Sequence, residues 1–139
     1  MSQFPAEDAK IRASNIVHRR GGNAPNTLEV LQQLISLRNP NALMLVLAAV
    51  LPSSSSAAFQ QIETSLGPDV DLKSCFYRED FQEPASSYII KNTANGSRTI
   101  ISYNALPEMD YSEFVKLADS LGDNATWYHF EVRGRSLAT

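Results

Sequence analysis

Residues 21–26, Gly-Gly-Asn-Ala-Pro-Asn, place a glycine pair and two short amides directly ahead of an amphipathic run. An asparagine side chain carries two donors and one acceptor oxygen on a short stem, and glycine lets backbone come close to a neighbour. Two readings stand at this level: a plain helix start, or a pocket where backbone meets a hydroxylated ligand. Near the other end, Glu131 closes an apolar segment, a place carboxylates avoid unless paired, and Arg133 stands two residues on as a partner. The remaining reactive side chains are isolated. His18 and His129 have no companions at metal-ligand spacing, which argues against a metal site, and His129 reads as a hydrogen-bonded core histidine. Cys75 has no histidine or basic cluster nearby and reads as a packed, inert thiol.

The totals narrow the classes of function. The 139 residues fit one domain able to bury a core, and 43% apolar with 19% charged residues is an ordinary globular composition. A net charge of −3, with His18-Arg19-Arg20 as the only tight basic cluster, gives no expectation of nucleic-acid binding. One cysteine forms no internal disulfide, which fits a reducing compartment. The first twelve residues lack the apolar centre of a secretory signal, and the longest apolar run, 42–51, is too short to span a bilayer. The expectation is a soluble, cytoplasmic protein with no membrane partner.

Helical spacing of Leu28, Val30, Leu31, Leu34, Ile35 and Leu37 predicts a helix from 27 to about 38, with Pro25 in its first turn and Asn39-Pro40-Asn41 as the stop. Residues 42–51 have no polar face and read as a parallel strand covered on both sides. The serines 53–56 form a loop and cap for a second helix carrying Phe59, Ile62 and Leu66, closed by Gly67-Pro68. Two β-rich runs, 86–91 and 98–103, flank a segment containing Asn95-Gly96, which predicts a hairpin. Residues 72–78 supply a further strand beside it. Asp110 and Glu113 frame a capping box for a third helix, and 126–132 read as a second buried strand. This order predicts an α/β layer with a hairpin insert and no internal repeat.

Three stretches, taken together, carry a resemblance. Asp8 ahead of Arg19-Arg20-Gly21-Gly22-Asn23-Ala24-Pro25-Asn26, the hairpin with Asn95-Gly96-Ser97-Arg98-Thr99-Ile100, and Tyr128-His129-Phe130-Glu131-Val132-Arg133 follow one another as in the PfkB (ribokinase-like) carbohydrate kinases, nearest their ketohexokinase-like members. The resemblance implies a partial ribokinase-like (Rossmann-like) three-layer α/β sandwich with a β-hairpin lid over about 72–104, the whole chain 1–139 being one partial domain. It implies that Gly22 lets backbone approach a sugar, that Asn23, Asn26 and Asp8 bond its hydroxyls, and that Glu131 lines the cleft. It also implies that Arg98 and Arg133 face the phosphates of ATP, with magnesium as the accompanying ion.

The chain departs from that pattern in three places. The family's Gly-Ala-Gly-Asp segment cradles phosphate at a helix N-terminus and holds the aspartate that takes the hydroxyl proton. Here the nearest string, Leu121-Gly122-Asp123-Asn124, reads as a helix C-cap. The usual glycine-rich loop after the first strand is Pro52-Ser53-Ser54-Ser55-Ser56. The family's first apolar strand and second half find no counterpart in these residues. The expected function is therefore the sugar-holding and lid part of an ATP-dependent carbohydrate kinase, inactive alone and with no catalytic residue of its own. Its partners would be a small sugar and, through the lid sheet, a second subunit. The alternatives are a non-catalytic interaction module and a truncated product. A sheet with so few strands is expected to be marginal or to associate.

Overall fold

The computed structural model describes residues 4–39 and 43–131. It is a mixed helix-and-strand structure with small sheets, compatible with an α/β fold. Helix α1 runs over Asn23–Ser36, four residues earlier than the apolar spacing marks. The reason lies at Gly22, whose φ of 95° lets the chain swing into a helix that begins on Asn23 itself. Pro25 then falls in the first turn, where its missing N–H leaves no gap.

The apolar run does not make one strand. It divides into β1 (Leu45–Val46) and β2 (Val50–Pro52), with helix α2 (Ala57–Leu66) following. β1 pairs in parallel with β3 (Val70–Asp71), and β2 in parallel with β4 (Phe76–Arg78), so the strand expected at 72–78 beside the hairpin joins the core strands instead. The break comes from the partner chain. Between β3 and β4 it folds through a turn closed by Cys75 N–H to Leu72 O at 3.0 Å and Lys73 N–H to the Asp71 carboxylate at 2.8 Å. A straight strand cannot keep its ladder against a partner that turns, so only single bonds bridge the gap, Leu47 N–H to Asp71 O at 3.0 Å and Phe76 N–H to Ala49 O at 2.9 Å. Each parallel sheet therefore holds two strands, and the expected cover on both sides is incomplete: Leu43 and Met44 are exposed.

The core gathers around these strands. Leu45, Leu47, Leu51, Phe59, Leu66, Val70 and Cys75 are buried together, with Leu28, Leu31 and Ile35 of α1 and Ile62 of α2 packed against them. Phe59 meets Tyr77 edge-on at 5.2 Å between ring centroids, a favoured aromatic geometry. Ser56 caps α2 by accepting from Phe59 N–H at 3.0 Å. Cys75 donates to Leu47 O at 3.2 Å, and burial pushes its thiol up to about 11, so the inert-thiol expectation holds.

Strands β5 (Ser86–Lys91) and β6 (Arg98–Tyr103) form an antiparallel hairpin with the bounds the sequence implied. Its turn uses Gly96 at φ 74°. Both faces of the hairpin are open, and Tyr88, Ile89, Ile100, Ile101 and Tyr103 are all exposed. Helix α3 (Tyr111–Leu121) starts on the complete Asp110/Glu113 capping box and ends at Gly122, so the string 121–124 is a helix end as read.

The second expected buried strand is corrected. The described part of 126–132 joins no sheet, and Trp127 is 85% exposed. A strand needs a neighbour to satisfy its backbone, and residues 126–131 pair with none of the described strands. The segment instead lays Phe130 against Phe114 of α3 at 6.2 Å and stacks Tyr128 on Phe130 at 6.2 Å. His129 is half exposed, not a core histidine.

Candidate functional site

The start of α1 and the end of the described chain come together. Glu131 accepts a hydrogen bond from Asn23 Nδ2 at 3.1 Å, across 108 residues of sequence. The other carboxylate oxygen of Glu131 sits 3.1 Å from His129 Nε2. One helical turn on, Asn26 presents its Oδ1 to Arg20 Nη1 at 3.4 Å, and Arg20 Nη2 is paired with Glu29. The Arg20 side chain is only 9% exposed, and its Nε is buried with no partner among the described residues.

Local rules explain this corner. Gly22 serves as N-cap without a side chain, so no side-chain oxygen caps the first N–H groups of α1. Those groups and the helix dipole make this end electropositive and rich in donors. Positions 23 and 26 lie three apart on a helix and so share a face. Glu131 and His129 lie two apart, and the contact between their side chains puts both on one side of the segment.

Of the residues expected to bind a sugar, Gly22, Asn23, Asn26 and Glu131 are thus in one place. Asp8 is not brought into it: the residue is exposed, has a φ of 57°, and bonds to no described residue. Arg98 opens β6 on the exposed hairpin, opposite Lys91. Arg133 lies outside the described residues. Sequence reasoning missed Arg20, Glu29 and His129 as members of the corner. The i, i+2 spacing of His129 and Glu131 was a usable signal, whereas nothing in the spacing of Arg20 and Glu29 marks them as a pair across a helix start.

Two other polar clusters are self-contained. Arg78 forms a fork onto Glu113 at 2.6 and 2.8 Å and donates to the carbonyls of Pro107 and Glu108, each at 3.0 Å. The Arg78 guanidinium, followed by the Asp110 backbone, holds the Glu113 carboxyl below its ordinary value. In the serine loop, buried Ser53 donates to Glu79 at 2.8 Å, and Ser54 N–H lies 3.3 Å from the same oxygen. These bonds hold Glu79 below the usual carboxylate range. The serine loop therefore spends its donors on its own carboxylate, where a glycine-rich loop would offer bare backbone.

Among the described residues no group of three or more His, Cys, Asp or Glu is placed to hold a metal ion. No helix among them is long and apolar enough to cross a membrane. For the nucleotide, Arg98 and Lys91 face each other across an exposed hairpin, and the described residues build no cradle around them. They do not fit ATP or magnesium by themselves.

Compared with known proteins, the chain is 29% identical over 141 aligned residues to ketohexokinase of Mus musculus, a match covering 98% of this chain and 42% of that protein. The chain thus spans less than half the length of that relative. No family model matches the chain. No solved structure matches it.

Proposed function

We propose that these residues are the sugar-holding part, with its lid hairpin, of an ATP-dependent carbohydrate kinase of the PfkB type. The observation that carries the reading is the contact between Asn23 and Glu131. Two motifs picked out separately, 108 residues apart, meet at a glycine-led helix start. Asn23, Asn26 and Glu131 are exposed, so a polyol would sit on this corner at the surface, and short amides beside a carboxylate supply the directional donors and acceptors its hydroxyls need. The similarity to a ketohexokinase supports a sugar as the ligand and ATP with magnesium as the wider enzyme's phosphoryl source.

In this reading the described corner binds and orients hydroxyls, and proton removal and phosphate charge stabilisation fall to groups outside it. The 139 residues alone are expected to bind fructose weakly, with Kd on the order of millimolar, because half a cleft recovers little of the cost of immobilising the ligand. They are expected to release no ADP above background in a coupled assay with fructose and MgATP. Calorimetric titration with fructose tests the binding half. Asn23→Ala and Asn26→Ala should each weaken the binding by about tenfold, and an unaltered titration in both variants would refute the assignment.

The open hairpin supports a second reading, a module that adds its strands to a partner. Both edges of a two-stranded sheet present unpaired backbone groups. An earlier elution with rising concentration on size exclusion would favour it, and a constant monomer volume would remove it.

A further inference from the structure

Arg20 and Glu131 hold the two asparagines of the corner in opposite senses. A carboxylate takes only donors and a guanidinium offers only donors, so the charged neighbours settle which end of each amide faces them. Asn23 commits its Nδ2 to Glu131, and its Oδ1 has no partner among the described residues. Asn26 commits its Oδ1 to Arg20, and its Nδ2 has no partner among the described residues. The two positions stand one turn apart on one face of α1.

We infer that Arg20 and Glu131 are positioning residues that fix the polarity of this pair, so that the helix start offers a polyol one carbonyl acceptor at Asn23 and one amide donor at Asn26. The ligand class is a pair of neighbouring hydroxyls, one donating and one accepting. For its ligand the inference rests on the sugar reading above, while the polarity itself belongs to the ligand-free chain. Arg20 suits the task because its side chain is nine-tenths buried and its guanidinium is pinned on one side by Glu29. A buried arm fixed by an ion pair reorients far less than an exposed one. Glu131 is held likewise by His129 on its other oxygen.

The test begins with the side-chain amide resonances of the full ¹⁵N-labelled chain. The Asn23 NH2 protons should be shifted downfield and exchange more slowly than those of Asn26. Glu131→Ala should move the Asn23 pair toward free-amide values and leave the Asn26 pair in place, with the backbone spectrum reporting that the fold is kept. A protected Asn26 pair beside a free Asn23 pair, or no response to Glu131→Ala, overturns the assignment without any ligand.

The second arm uses deoxy and deoxyfluoro analogues of fructose, since fluorine accepts weakly and never donates. At the hydroxyl facing Asn23 both analogues should lose about tenfold or more in affinity, and at the neighbour facing Asn26 only the deoxy analogue should, in line with the cost of an unmet hydrogen bond. Asn23→Ala should abolish the first discrimination and Asn26→Ala the second. Bound sugar without this pattern overturns the positioning role. An intact amide signature with no sugar bound at any concentration overturns the sugar reading instead.

Discussion

Gly22 sits at φ 95°, where a side chain is strained, and a Cβ there would lie 3.2 Å from Pro25 Cδ. Gly22→Ala is therefore expected to destabilise the fold by about 1–2 kcal/mol, read as a lower urea midpoint. It should also weaken sugar binding by displacing Asn23. An unchanged midpoint would show that the turn tolerates a side chain. The meeting of Gly22, Asn23 and Asn26 at one helix start was legible in the sequence because glycine and a first-turn proline mark such a start locally. Arg20 was not. A cation joins a site through the fold that buries it, and the nine-residue separation of Arg20 and Glu29 follows no helical or strand period.

At the scale of elements, the third helix and the hairpin were readable to the residue because their signals are local: a capping box for one, Asn-Gly between β-branched runs for the other. The two apolar strands were not. Whether residues 42–51 form one strand or two depends on a turn at 72–75, and whether 126–132 pair at all depends on a neighbour that local pattern does not encode. These elements also differ in what holds them. Phe59→Ala, in the core, should cost about 3–5 kcal/mol. Ile101→Ser, on the open hairpin, should change stability by less than about 0.5 kcal/mol. Similar losses for both would mean that the hairpin is buried after all.

The start of α3 has its own pH dependence. The Arg78 guanidinium and the Asp110 backbone lower the Glu113 carboxyl, while bonds from the Glu113 backbone and Ser112 lower that of Asp110. A lowered folded value means the ionised form is the one the fold prefers. The contribution is complete above the ordinary carboxylate range and is lost as pH falls through the lowered values. The gap in urea midpoint between the wild type and Glu113→Gln should thus be open at pH 7 and narrow toward pH 3. A gap that stays constant would contradict this.

The whole molecule exposes 11257 Å² of surface. A compact monomer of 15.3 kDa would expose about 7,100 Å² by the usual scaling. Among the described residues the sheets are two-stranded, the hairpin is open and aromatics such as Trp127 and Tyr111 are bare. The expectation of a narrow sheet with exposed edges thus came from strand number alone and is met. The consequence for stability is a broad, shallow melt for the monomer, or one that sharpens and rises with concentration. A steep, concentration-independent transition of a monomer by calorimetry and light scattering would contradict it.

The central claim is that a glycine-led helix start and Glu131 form one polyol-binding corner. Backbone ¹H–¹⁵N mapping during a fructose titration addresses it most directly. The predicted result is a set of saturable shifts confined to residues 20–29 and 129–131, with the core strands and the serine loop unmoved. Shifts centred elsewhere, or none up to about a hundredfold above the millimolar affinity expected of half a cleft, would contradict the account.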